Sequence, residues 1–382
     1  MGGSDGPADR PDADDLAPAF DVYETRTDGE TVLYVGRPRV GDDPDAVERR
    51  VRPLFRQYDY TVSLREGYDP ADGLPVSPGE HVLVARPRST DAGVPWRNVL
   101  LFVLTVFSTL FAGSVYWYHI PITERPLRAL EAWPFVVAIM GVLAVHELGH
   151  YAMSRYHDVD ASLPYFIPLP TVIGSMGAVI RMRGRIPDRE ALFDIGVAGP
   201  LAGLVATVLV TVVGLQLDPL PAQEAAAAAT ATRVEFNNPP LLVLLAELTG
   251  TAGKLERGLV HPVVFGGWVG MFVTLLNLLP VGQLDGGHIL RAMVGERQET
   301  LAAAVPGALF ALAGYLYFVR DGINSVGIWA MWGLFAVGLA YAGPATPIRD
   351  DPLDRRRIAV GILTFVVGVL CFTPVPVEVI TP

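Results

Sequence analysis

Seven apolar runs, near residues 98–119, 133–156, 191–215, 262–281, 301–319, 324–343 and 358–376, dominate the chain after residue 95. A helix needs about 20 largely apolar residues to cross a bilayer. Hydrocarbon also admits only elements that satisfy their own backbone hydrogen bonds. The fold class that follows is an all-α polytopic membrane protein with about six or seven transmembrane helices. Its composition agrees, at 51% hydrophobic and only 18% charged residues.

The first 95 residues differ, with 19 Asp and Glu against 11 Lys and Arg. Residues 1–18 offer little to bury and are expected to be a disordered acidic tail. Residues 19–95 read as a small soluble α+β domain. In it "TVLYVGRPRV" and "EHVLVARP" are predicted strands, and "DPDAVERRVRPLFRQY" is a predicted helix capped by Asp43 or Asp45. No charged-then-apolar opening marks a cleavable signal peptide. The membrane part divides into a core at 96–295 and additional C-terminal helices at 296–382.

A net charge of −11 argues against nucleic acid as a partner. The single cysteine, Cys371, forms no internal disulfide. Lys254 is the only lysine beside 28 arginines, a composition that resembles proteins of salt-loving, GC-rich archaea. With the N-terminus placed in the cytoplasm, the inside loops from Arg86 onward carry 14 basic residues and the outside loops six. That asymmetry favours the cytoplasmic N-terminus.

Two segments do not read as simple spans. "ASLPYFIPLPTVIGSMGAVIRM" is apolar, but three prolines and two glycines break it. Irregular backbone at membrane depth is tolerated where protein buries it or a cavity adjoins it, so a re-entrant loop or edge strand is expected. Residues 217–260 are expected to be a surface loop with an interfacial helix.

Chemistry concentrates in "LAVHELGHYA", residues 143–152, which follows a segment with no charge from Trp133 to Val145. Ionisable residues at membrane depth are costly and mark functional sites by default. "HELGH" fits H-E-x-x-H: on a helix His146 and His150 share one face, and Glu147 beside them is placed to take a proton from water activated there. A catalytic zinc site takes three protein ligands and keeps one position open. Asp285 in "NLLPVGQLDGGHILR", about 135 residues on, is the candidate third ligand. A glycine pair after it permits a tight turn and close approach. The alternative is that Asp285 caps the helix "GGHILRAMV". His288, three residues after Asp285, is placed for a packing or hydrogen-bonding role, with a fourth ligand in a resting state as the alternative. His119, His157 and His261 lie at span ends, and His81 belongs to the soluble domain.

"HELGH" in one span and "NLLPVGQLDGG" in a later one resemble the paired signatures of the site-2 proteases, intramembrane zinc metalloproteases. "GSMGAVIRMRGRIPDREALFDIGVAGPLAG" between them is similar to the branch without PDZ domains, which includes the chloroplast EGY proteins and archaeal relatives. The resemblance covers residues 130–295. It implies one Zn²⁺ held by His146, His150 and Asp285, with Glu147 as catalytic base. It further implies that Asn277 helps hold substrate or the developing oxyanion, and that the Gly174–Gly177 loop lies beside the cleft. An interhelical hydrogen bond for Asn277 and close helix packing for the glycines are the plain alternatives. The implied partners are transmembrane protein substrates in a lipid bilayer. Rival readings are a divalent-metal transporter, which needs ligands along a path across the bilayer, and a non-catalytic membrane scaffold of the same fold.

Overall fold

The computed structural model describes residues 10–28, 30–39, 44–66, 81–87, 94–182, 186–221, 233–320 and 323–380. They form two compact units, 1–94 and 95–382. The first contains α1 (Ala13–Leu16), β1 (Phe20–Asp28), β2 (Thr31–Pro38), α2 (Pro44–Gln57), β3 (Tyr60–Glu66) and β4 (His81–Pro87). Its strands make one antiparallel sheet in the order β1-β2-β4-β3. Strand side chains alternate between faces. Val32 and Tyr34 therefore join Val47, Val51 and Phe55 of α2, while Leu33 and Val35 cluster with Val82 and Val84. Both alternating sets are buried, which accounts for the unbroken apolar run in β2.

The expected disorder of residues 1–18 does not hold for residues 10–18. Leu16 is fully buried in the sheet–helix core, and the Tyr34 hydroxyl donates to the Pro11 carbonyl at 2.6 Å. One leucine and one backbone acceptor anchor an otherwise polar segment. Pro44 opens α2, so Asp45 lies inside the helix, and Asp43 falls outside the described residues.

The second unit is the membrane part. Its helices are α3 (Trp96–Ala112), α4 (Trp133–Tyr156), α5 (Arg189–Gln216), α6 (Pro240–Leu248), α7 (Ala252–Glu256), α8 (Val263–Asn277), α9 (Asp285–Val294), α10 (Arg297–Ala302), α11 (Ala304–Phe318), α12 (Ile323–Ala342) and α13 (Arg355–Leu370). Among the described residues five helical stretches are long and apolar enough to span: 96–117, 126–156, 189–216, 297–318 and 325–342. Seven were expected. The other two apolar runs form shorter helices, α8 with 15 residues and α13 with 16. The run at 262–281 stops helically at Asn277, because Pro280 cannot continue the ladder and Gly282 turns at φ +53°. The run at 358–376 ends as helix at Leu370, ahead of Pro374 and Pro376, and leads into β8 (Val377–Ile380). The molecule remains a multi-pass helical membrane protein with a small strand-containing N-terminal domain.

The interrupted segment between α4 and α5 is a hairpin of β5 (Tyr165–Pro168) and β6 (Ser175–Val179). Asn98, at the start of α3, donates to the Leu163 and Pro164 carbonyls at 2.9 and 3.0 Å. Trp117, beyond its end, donates to the Val172 carbonyl at 2.8 Å. The hairpin thus runs alongside α3, and pairing between its strands satisfies the backbone groups that prolines and glycines removed from a helix. Residues 217–260 are less superficial than expected: Leu242, Leu245 and Ala246 of α6 are buried with Phe265 and Trp268. β7 (Arg233–Phe236) pairs with β8, and the alanine run at 222–230 lies outside the described residues.

Three helices, α4, α5 and α8, make the centre of the bundle, and small residues bring them together. A Cβ at Gly266 would lie 2.6 Å from the Ala138 Cβ, and one at Gly214 2.7 Å from the Val264 amide nitrogen. Gly267 and Gly270 pack equally close to Thr211 and Thr207. In lipid, where no hydrophobic force separates helix from solvent, such close backbone approach drives association.

Candidate metal centre

The HELGH sequence lies in the second half of α4 and presents His146 and His150 one turn apart toward α5. Both are buried, at 3% and 6% exposure, and Glu147 is buried at 7%. The space that the two rings occupy is cut out of α5. Gly196, Gly199 and Gly203 share one face of that helix; a Cβ at Gly199 would overlap the His150 imidazole, and one at Gly203 would lie 2.8 Å from His146 Nδ1. The His150 Nδ1–H donates to the Ile195 carbonyl of α5 at 2.8 Å. That bond puts a proton on Nδ1, the arrangement in which Nε2 is the nitrogen that can bind a metal.

Asp285 completes the cluster from the far side. α8 ends at Asn277, the Leu278–Leu284 turn reverses the chain, and Asp285 is the first residue of α9. A side chain at Gly286 would collide with the Leu278 carbonyl and one at Gly287 with the Gly282 carbonyl, so this turn closes only with glycines there. The capping alternative for Asp285 fails: Leu284 occupies the N-cap, and no side chain bonds the first turn. Its carboxylate instead meets both histidines, with Oδ2 3.2 Å from His146 Nε2 and Oδ1 3.2 Å from His150 Nε2. The two Nε2 atoms are themselves 3.2 Å apart.

The two Nε2 atoms and the two carboxylate oxygens thus converge, each oxygen 3.2 Å from one nitrogen, and a metal ion fits among them. Tetrahedral zinc with ligand bonds of about 2.0–2.1 Å sets ligand atoms about 3.3 Å apart. The polar bookkeeping agrees. Asp285 Oδ2 is buried and accepts no hydrogen bond despite its neighbours. His146 Nε2 faces the amide donor Asn277 Nδ2 at 3.1 Å, so it is unprotonated, and a metal ion there would take the lone pair that Asn277 now engages. Acceptors facing acceptors in a buried site repel unless a cation joins them. Two imidazoles and one carboxylate are the donor set that suits zinc.

Other expected site residues sort by geometry. Glu147 lies beside the backbone of Ile180, the residue after β6, so the hairpin and the HELGH helix adjoin at this carboxylate. Asn277 reaches the cluster through His146. Gly174, at φ +81°, is pressed against the Ser108–Thr109 backbone of α3, which is the close-packing alternative; Gly177, at φ +116°, has open space over its Cα. His288 is buried, with no hydrogen-bond partner at Nδ1, and packs against Gly196 outside the three-ligand group. His157 pairs with Asp194 at 2.9 Å, and His261 Nδ1 accepts from the Val263 amide at 3.2 Å. Gly199, Gly203 and the Ile195 carbonyl went unnoticed as residues that shape the site. Their signal was the small-residue spacing in "GVAGPLAG", legible only once its partner helix is known.

A buried two-histidine, one-carboxylate cluster, built between helices of a multi-pass bundle and flanked by a glutamate, has the make-up of a metal-binding group. Residues 134–318, which carry every member of it, match Peptidase family M50, and the chain carries a domain of this site-2 protease family. The chain is similar to the "Probable zinc metalloprotease EGY1, chloroplastic" of Arabidopsis thaliana, 30% identical over 384 residues, covering 91% of this chain and 66% of the relative. The Oryza sativa subsp. japonica protein of the same description is 32% identical over 372 residues, covering 89% and 62%. The Arabidopsis thaliana "Probable zinc metalloprotease EGY2, chloroplastic" is 28% identical over 322 residues, covering 81% and 54%. The chain thus spans 54–66% of the length of these relatives.

Proposed function

We propose that this chain is an intramembrane zinc metalloprotease that hydrolyses peptide bonds of transmembrane proteins. The observation that carries this reading is the convergence of His146, His150 and Asp285 donor atoms at 3.2 Å spacing, with Glu147 next in the chain. The M50 domain and relatives named as zinc metalloproteases support it.

In this reading His146, His150 and Asp285 hold Zn²⁺, which supplies a Lewis acid and lowers the pKa of a water molecule toward neutrality. Glu147 is the general base. Its burial removes competing solvent, and the hairpin backbone at Ile180 adjoins its carboxylate. Asn277 Nδ2, already 3.1 Å from His146 Nε2, is within reach of an oxyanion that develops on the scissile carbonyl.

A helical substrate hides its carbonyls in hydrogen bonds and must unwind to react. β6 offers the unwound segment a template: among the described residues it pairs only with β5, and Gly177 leaves room over that strand. Strand addition supplies backbone hydrogen bonds in place of those lost from the helix. Gly174 keeps the hairpin against α3. We assign residues 96–295 as the catalytic core and 296–382 as accessory helices. The arginine asymmetry supports a cytoplasmic N-terminus, which sets the HELGH half of α4 toward that side. Substrates shortened beforehand outside the membrane suit a site buried this way, and such cleavage is regulated intramembrane proteolysis.

The test compares purified wild type with Glu147→Gln in liposomes, each given a panel of single-span substrates. Cleavage by wild type alone, with both proteins holding about one zinc, is the expected result. Equal cleavage by both proteins removes Glu147 from the chemistry. Zinc crossing the bilayer without any cleavage replaces the protease with a transporter.

A further inference from the structure

The first turns of α5 and α13 lie side by side and enclose a cleft of about 700 Å³. Phe193, Val197 and Val360 give it an apolar floor, and the run Arg355–Arg356–Arg357 lies along its rim. These arginines are not equivalent. Arg357 is committed: it meets Asp194 at 2.8 Å, Asp354 at 2.7 Å and Glu190 at 3.2 Å. Arg355 and Arg356 are exposed, and among the described residues neither has an acidic partner. The acidic groups here, Asp194 and Asp354 of the lining and Glu190 beside it, all engage Arg357, so Arg355 and Arg356 are left to face a ligand.

Arginines that flank a membrane helix are ordinary. An apolar cleft opening beneath two unpaired ones, where two membrane helices begin, is a more particular arrangement. We propose that this cleft binds one anionic phospholipid. Its phosphodiester is an anion that the exposed Arg355 and Arg356 can pair with, and guanidinium groups bind phosphate in paired hydrogen bonds. Its acyl chain follows Phe193, Val197 and Val360 down to the exposed Leu363 of α13. Basic pockets between membrane helices take such headgroups in general. The proposal concerns binding alone and stands whether or not the metal centre is catalytic.

The full chain, reconstituted in phosphatidylcholine nanodiscs, is photolabelled with phosphatidylglycerol bearing a photoreactive acyl chain, and labelled peptides are mapped by mass spectrometry. Label is expected on peptides containing Phe193–Val197 and Val360–Leu363. Unlabelled phosphatidylglycerol should displace it, and neither phosphatidylcholine nor inorganic phosphate should. Each basic residue near a membrane surface contributes about 1 kcal/mol, so the doubly substituted Arg355→Gln/Arg356→Gln protein should label about thirtyfold less. Val360→Trp fills the cleft while keeping every charge, and should also lose the label. Labelling spread evenly over the lipid-facing helices, or unchanged in either variant, overturns the proposal. Displacement by inorganic phosphate makes the cleft a free-anion site and overturns the lipid assignment.

Discussion

Placing a methyl group on α5 tests how the metal centre is held. A Cβ at Gly203 would lie 2.8 Å from Nδ1, 3.0 Å from Cβ and 3.2 Å from Cγ of His146, whereas unstrained contact begins near 3.4 Å. The ring must then retreat by about 0.6 Å, beyond the roughly 0.2 Å tolerance of a metal–ligand distance. Gly203→Ala is expected to weaken zinc binding about 10- to 100-fold, or about 1.4–2.7 kcal/mol. Gly199→Ala is worse, because its methyl overlaps the His150 ring, which the Ile195 carbonyl prevents from swinging away. Gly141→Ala is the control, since nothing lies within 4 Å of its Cβ position. Helix propensity runs the other way, with alanine favoured over glycine by about 0.5–1 kcal/mol in a helix interior, so a loss cannot come from there. Zinc affinity is read by competition with a chromophoric chelator in detergent, with circular dichroism confirming the helices. Affinity should fall in the order Gly141→Ala, Gly203→Ala, Gly199→Ala. Wild-type affinity in Gly199→Ala would refute the claim that α5 shapes the site.

Three further outcomes follow from other parts of the chain. Asp188 caps α5 through the Ala191 amide at 2.9 Å. Burial raises its pKa, but the Ala191 N–H and the Arg349 guanidinium outweigh that and hold it below the ordinary 3.8. Its stabilisation is therefore complete above pH 3.8 and lost as pH falls through the lower folded value; Asp188→Ala should cost about 1 kcal/mol at neutral pH in denaturant unfolding, and the difference from wild type should vanish in acid. Leu16→Ala empties a fully buried position and should destabilise the N-terminal unit by about 2–5 kcal/mol, seen as earlier proteolysis at Arg10 in urea. Gly174→Ala combines a positive φ with a backbone collision and should give little folded protein, while Gly177→Ala bears the φ strain alone, about 1–3 kcal/mol, and should still fold and bind zinc but cleave more slowly.

The convergence of His146, His150 and Asp285 was legible in the sequence because metal-site chemistry restricts residue types so narrowly. Two histidines four apart and a carboxylate after a helix-breaking turn leave few other readings in an oily chain. The hairpin was half legible: its prolines and glycines excluded a helix, but the pairing of Phe166 with Ala178 is set across a turn. What stayed hidden was non-local. β7 and β8 are paired across more than a hundred intervening residues, and neither is distinctive alone. The ends of α8 and α13 were read too far along because hydropathy continues past Asn277 and Leu370 while the helical backbone does not. The anchor at Leu16 was masked by the acidic residues around it. Arg189 and Arg291, two of the 14 basic residues counted in the inside loops, are buried; Arg189 donates to the Ala292 carbonyl at 2.7 Å and Arg291 to Asp350 at 2.9 Å.

X-ray absorption at the zinc edge of the purified protein tests the central assignment most directly. Two imidazole nitrogens and carboxylate oxygen at about 2.0–2.1 Å are expected, with one zinc per chain that is lost in Asp285→Ala and in His150→Ala. A sulfur ligand, or a spectrum unchanged in either variant, would contradict it.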